Sequence, residues 1–173
     1  IKVARENKIT YLGLCYGMQL AVIEFARNVA GLKGATTREI DPKAQHLVID
    51  IMESQKKKLE EGDFGGTMRL GTYPATLLDG TIARAAYGAE TVNERHRHRY
   101  EINPEYVPQL VEGGLVFSGT SPDGVLMEIA ELPKSEHPFM LGCQFHPELQ
   151  ARPLTPHPLF TAFLTAAMER KQG

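Results

Sequence analysis

At 173 residues the chain is long enough to enclose one full hydrophobic core, and its 42% apolar and 23% charged content is ordinary for a globular domain. A net charge of −2 gives no basis for a nucleic-acid partner or an anionic membrane surface. Two cysteines are too few for a disulfide framework, no apolar run is long enough to span a bilayer, and no signal peptide opens the chain, so a cytoplasmic location is expected.

Ile1 to Lys8 reads as the tail of an amphipathic helix, which leads to the expectation that further polypeptide precedes it. Ile9 to Leu14 follows as a short buried strand. Met18, Ala21, Val22, Phe25, Ala26 and Val29 then recur at helical spacing up to Gly31. A polar loop runs through Thr36, Thr37, Glu39 and Asp41-Pro42, and Ser54 to Asp63 reads as a solvated loop or short helix. Gly65-Gly66 leads into a strand over Thr67 to Leu78, followed by a short helix over Ile82 to Gly88 and an extended polar stretch over Val92 to Ile102. Pro104 to Glu112 predicts a helix closed by Gly113-Gly114. Leu115 to Ser118 and Val125 to Leu132 predict a hairpin around Ser121-Pro122-Asp123-Gly124. A strand over Met140 to Phe145 and an amphipathic helix over Pro158 to Met168 close the chain. Alternating strands and helices define an α/β domain.

The segment Gly13-Leu14-Cys15-Tyr16-Gly17 sets a cysteine at a strand-to-helix corner with a glycine two residues away on each side. This is a nucleophile-elbow pattern with Cys in place of Ser. The turn predicts positive or strained φ, which glycine tolerates, and it lifts the sulfur to a helix start whose unpaired N–H groups favour a thiolate. Near the other end, His146 and Glu148 stand two residues apart within Gln144-Phe145-His146-Pro147-Glu148. In an extended strand both side chains leave one face, so the carboxylate can hold one imidazole nitrogen and leave the other for a thiol. Cys143 reads as core rather than a second nucleophile, because a buried strand offers nothing to lower its pKa. His96 and His98, among Arg95, Arg97 and Arg99, read as a substrate-facing strand rather than a metal or phosphate site. His137 and His157 precede prolines and mark turns, and Met18, Phe25 and Val29 are helix core.

Taken together, Leu12-Gly13-Leu14-Cys15-Tyr16-Gly17-Met18-Gln19 and Gln144-Phe145-His146-Pro147-Glu148 resemble the class I, triad-type glutamine amidotransferases. Within that family the chain resembles the glutaminase domains of CTP synthases, through Glu24 to Val29, Gly66-Thr67-Met68-Arg69-Leu70-Gly71 and Glu94 to Glu101. The resemblance implies a doubly wound, mostly parallel, flavodoxin-like sheet with flanking helices, its opening strands lying outside this chain. It implies one partial glutaminase domain over residues 1–173 and a separate synthetase domain. Cys15 would attack the side-chain amide of glutamine and form a glutamyl thioester; His146 would shuttle protons and Glu148 would orient it. Glutamine would lie against Tyr16, Gly17, Met18, Gln19, Glu39, Arg99 and Tyr100. The Tyr16 backbone N–H would serve as an oxyanion donor, and Arg99 would pair with the α-carboxylate.

The chain departs from the family at Tyr16, where a small or aliphatic residue is usual, and by offering no glycine-rich loop to supply a second oxyanion donor. No cofactor or metal is expected on this domain. ATP, Mg and UTP belong to the synthetase domain, GTP is an expected effector with Gly65 to Gly71 as a candidate lid, and the intact protein is expected to be a homotetramer. Another class I amidotransferase, a γ-glutamyl hydrolase and an inactive scaffold retaining the fold are the alternatives the residues leave open.

Overall fold

A computed structural model of the chain describes residues 1–51 and 68–172. Helix α1 (Lys2–Glu6) leads to β1 (Tyr11–Leu14), which turns at Cys15 into α2 (Tyr16–Asn28). Then follow β2 (Thr36–Thr37), β3 (Leu47–Asp50), β4 (Arg69–Leu77), α3 (Ile82–Tyr87), β5 (Thr91–His98) and β6 (Glu101–Ile102). A 3-10 turn (Pro104–Tyr106) and α4 (Val107–Glu112) precede β7 (Val116–Thr120), β8 (Met127–Glu131) and β9 (Met140–Cys143). A second 3-10 turn (Pro147–Leu149) and α5 (Pro158–Gln172) end the order. No helix among the described residues is long and apolar enough to cross a membrane.

The main sheet has the order β1-β9-β8-β7-β4-β5, and a smaller one the order β2-β3-β6. The α/β architecture is as expected, but within the described residues the main sheet is mixed. Only β1 and β9 run parallel there, and its other neighbours pair antiparallel. Hairpin connections such as β7 to β8 need no crossover helix, so this part of the sheet meanders. Strand β3 falls on Leu47 to Asp50, where no element was expected, because four residues are too few to declare a period. The predicted loop or helix over Ser54 to Asp63 lies outside the described residues. So does Gly65 to Thr67 of the candidate lid; Arg69 to Gly71 of that segment is already strand, paired with His96 to His98 of β5.

Apolar side chains gather in two clusters on opposite sides of the sheet. Met18, Val22 and Phe25 of α2 pack over Ala130 on one side, and Leu159 of α5 packs with Ile129 and Leu141 on the other. Two close approaches seat α2. A Cβ on Gly142 would lie 2.8 Å from Met18 Cβ, and one on Gly13 would lie 2.7 Å from the Gly17 carbonyl carbon. Gly13→Ala therefore meets backbone that has nowhere to go. It is expected to destabilise the fold by about 1–3 kcal/mol. A urea-unfolding midpoint equal to that of the unaltered protein would contradict that.

Candidate active site

Parallel pairing of β1 with β9 aligns Leu14 with Cys143, so the chain leaves both strands at the same end of the sheet. The Cys15 N–H donates to the Cys143 carbonyl at 2.7 Å, and three residues beyond Cys143 stands His146. Strand pairing thus closes the long sequence gap between the two motifs. Cys15 caps α2 with φ 50° and ψ −103°, so the strain of the corner sits on the cysteine itself. Neither neighbouring glycine has positive φ. Gly13 is needed for close approach instead, and the Gly17 carbonyl accepts a hydrogen bond from the Tyr11 hydroxyl at 2.8 Å.

The His146–Glu148 pair forms, but not as an extended strand. β9 ends at Cys143, and the 3-10 turn after His146 folds Glu148 back onto the ring. The pair meets at 2.6 Å between His146 Nδ1 and Glu148 Oε1. An ionised carboxylate only accepts, so Nδ1 carries the hydrogen and Nε2 is left as the basic nitrogen. Nε2 is buried and has no hydrogen-bond partner among the described residues. The His146 N–H donates to the Arg95 carbonyl at 2.8 Å, tying the turn to β5.

Burial pushes the Cys15 thiol above its ordinary value, and the charges of Glu148 and Glu101 add to this. The Tyr16 N–H and the Gln144 amide pull the other way. The balance is upward, contrary to the expectation from the helix start alone, because desolvation of a buried thiolate outweighs two donors.

Cys15 opens on a cleft of about 520 Å³ lined by Tyr16, Gln19, Glu39, Met68, Arg97, His98, Arg99 and Tyr100. Burial raises the Tyr100 phenol above its ordinary value, and Glu39 and Arg99 act on it in opposite directions, Glu39 adding to the rise. Gly17 and Met18 do not line the cleft; Met18 is fully buried beneath the helix. Its position one turn into α2 directs it at β9 rather than outward. From the sequence, Met68 fell only within the candidate lid and Arg97 only within the substrate-facing strand, and Gln144 had no role of its own, although it donates to Cys15 Sγ at 3.7 Å.

Beneath the cleft, β5 alternates strictly, with Glu94, His96 and His98 buried and Arg95 and Arg97 exposed. The two histidines face each other, Nδ1 of His96 lying 2.8 Å from Nε2 of His98. Burial, with the Arg69 charge, lowers both, to about 2 for His96 and about 3 for His98, so both rings are neutral. Arg69 donates to Glu128 at 2.6 Å, lies 3.7 Å from Glu101 and stacks 4.5 Å over Tyr73. Burial pushes Glu101 up to about 8 against the pull of Arg69.

A cysteine on a strained strand-to-helix corner, a carboxylate-held imidazole and a mixed α/β sheet are the arrangement found in proteins of the cysteine-dependent acyl-transfer class. The chain belongs to the class-I glutamine amidotransferase family, whose family model matches residues 1–166. It is 55% identical to CTP synthase of Thermobifida fusca, over all of this chain and 32% of that protein. It is 59% identical to CTP synthase of Rubrobacter xylanophilus, over 96% of this chain and 29% of that one. Among solved structures, the glutaminase domain of Trypanosoma brucei CTPS with bound acivicin superposes with TM-score 0.89 at 36% identity. The match covers 97% of this chain and 63% of that one. The chain thus spans about a third of the length of the curated relatives it matches.

Proposed function

We propose that this chain is the glutaminase part of a CTP synthase. It would hydrolyse glutamine to glutamate and ammonia and deliver the ammonia to a synthetase domain of the same polypeptide. The observation that carries the reading is Cys15 on the corner at the mouth of the cleft, with His146, its Nδ1 held by Glu148, on the segment that leaves the neighbouring strand at the same end of the sheet. The relatives' names and the acivicin, a glutamine analogue, in the T. brucei structure support the substrate.

In this reading the Cys15 thiol passes its proton to His146 Nε2 and its sulfur attacks the side-chain carbonyl carbon of glutamine. The oxyanion forms against the Tyr16 N–H. His146 returns the proton to the nitrogen as the C–N bond breaks, releasing ammonia and leaving a thioester. Water then attacks the thioester as His146 takes its proton, and the proton returns to the departing Cys15 sulfur. Glu148 stays ionised and holds the ring. Arg99 and Glu39 suit the α-carboxylate and α-ammonium of the substrate, one charge for each. Gln19 and Tyr100 complete the cleft wall.

The rest of the proposal lies outside this chain: ATP, Mg and UTP on the synthetase domain, GTP as effector, homotetramer assembly and a cytoplasmic location. Labelling the intact protein with an electrophilic glutamine analogue should yield one adduct, on Cys15, with glutamine protecting against it. An adduct on any other residue would sink the assignment.

A further inference from the structure

A chain of buried amides runs from the far wall of the cleft to the sulfur. The Gln19 amide nitrogen donates to the Tyr100 carbonyl at 3.0 Å and to Gln144 Oε1 at 3.2 Å. The Gln144 amide nitrogen then faces Cys15 Sγ at 3.7 Å. Gln144 is fully buried and Gln19 nearly so. Amide orientation is legible here because one end of the chain is a backbone carbonyl, which only accepts. Gln19 must therefore present NH₂ to Tyr100. The same nitrogen supplies the second hydrogen to Gln144, so Gln144 must turn its oxygen to Gln19 and its NH₂ to the sulfur. Reversing Gln144 would set two NH₂ groups against each other and aim a carbonyl oxygen at the nucleophile.

The Tyr100 carbonyl is anchored from behind as well. His98 Nδ1 lies 3.2 Å from it and must donate, which makes His98 Nε2 the acceptor for His96 Nδ1–H. That assignment agrees with two neutral rings carrying one hydrogen each.

We propose that Gln144 favours the reactive form of Cys15 by donating a hydrogen bond to its sulfur, and that Gln19 is the positioning residue that fixes which end of the Gln144 amide faces it. The inference rests on the reading of Cys15 as nucleophile. Two donors reach the sulfur, the Tyr16 N–H and the Gln144 amide, against the negative charges of Glu148 on the turn and Glu101 on β6. His146, the proposed base, stands on the segment after β9, at the same end of the sheet as Cys15. Loss of one of the two donors found among the described residues leaves a buried thiolate poorly compensated.

The test is the pH dependence of Cys15 alkylation by iodoacetamide in the intact protein, with Cys15→Ala as the blank for any reaction at the buried Cys143. Gln144→Leu is expected to move the midpoint up by about one pH unit, about tenfold in thiolate fraction at neutral pH. Gln144→Glu, which aims a carboxylate at the sulfur, should move it further. Gln19→Met frees the Gln144 amide to reverse and should give a smaller shift in the same direction. An unmoved midpoint in Gln144→Leu at unchanged melting temperature overturns the proposal. If that variant does not fold, an unmoved midpoint in Gln19→Met does so. Because alkylation needs no glutamine, the two readings fail separately. A shifted midpoint in a protein that releases no ammonia from glutamine overturns the glutaminase reading alone. Normal ammonia release with an unmoved midpoint overturns the role of Gln144 alone.

Discussion

Replacing Cys15 or His146 singly with alanine is expected to lower kcat for glutamine hydrolysis on the order of 10⁴- to 10⁶-fold, with the double replacement no lower than the worse single. Burial favours the protonated Cys15 thiol, so in the proposed mechanism the sulfur becomes a nucleophile only once its proton has moved to His146. The imidazole in turn has no step to serve without the sulfur. Groups that act as one unit lose the whole effect when either is removed. Glu148→Gln should cost less, about 10²- to 10⁴-fold, because it removes the acceptor that fixes the His146 tautomer while both reacting groups stay. Steady-state ammonia release from glutamine measures all four variants. A double variant whose loss equals the product of the two single losses would show that the residues act independently.

Arg69→Met is expected to destabilise the fold by about 3–5 kcal/mol near neutral pH. Arg69 is the cation between two carboxyl groups, Glu128 at 2.6 Å and Glu101 at 3.7 Å, all three side chains being buried. Methionine fills much of the same volume over Tyr73 but leaves both acids without a counter-charge. The pH dependence has a definite sign. Glu101 is already raised in the fold to about 8, and Glu128 is raised as well. A carboxyl whose folded pKa lies above its unfolded one contributes stability that is complete below the unfolded value near 4.5 and is lost as pH rises through about 8. Removing Arg69 takes away a pull that lowers both acids, so the deficit against the unaltered protein should widen from pH 5 to pH 8. The two histidines act in the opposite sense. Their lowered folded values mean that stability is lost as pH falls from about 6.5 towards about 3. Because the Arg69 charge adds to that lowering, its removal lessens this acid loss, which narrows the deficit at low pH and keeps the same overall sign. Urea midpoints across that range read the difference directly. A deficit that shrinks as pH rises would contradict this account of the cluster.

The same residues separate what was readable one-dimensionally from what was not. Both candidate motifs stood out because the pattern of each is local. Cys15 and its glycines occupy one turn, and His146 and Glu148 are two residues apart. The elements on strong periods or explicit stop signals were legible for the same reason, α2 and the β7–β8 hairpin among them. Where the local conformation was inferred from the residue type, it came out differently. The positive φ sits on Cys15 rather than on its glycines, and a 3-10 turn rather than a strand joins His146 to Glu148. Both are set by what packs against them. Gly13 must admit the backbone of Gly17, and the turn is anchored to Arg95 of another strand.

By itself, then, the sequence determined the α/β alternation and singled out Cys15, His146 and Glu148 as the candidate nucleophile, base and holder, since each depends on residues close together in the chain. Only the tertiary structure decided that β1 lies parallel beside β9, which brings Cys15 and His146 to one end of the sheet. It also decided between the two readings of Met18, helix core and glutamine contact, in favour of the core, while Gln19, its neighbour, reaches the cleft. The opposing pulls on the Cys15 thiol belong to the same category, because burial and charge depend on residues far away in sequence. So does the amide chain from Tyr100 through Gln19 to Gln144. The direction of its hydrogen bonds follows from one backbone carbonyl, and no spacing within the chain encodes which atom that carbonyl meets.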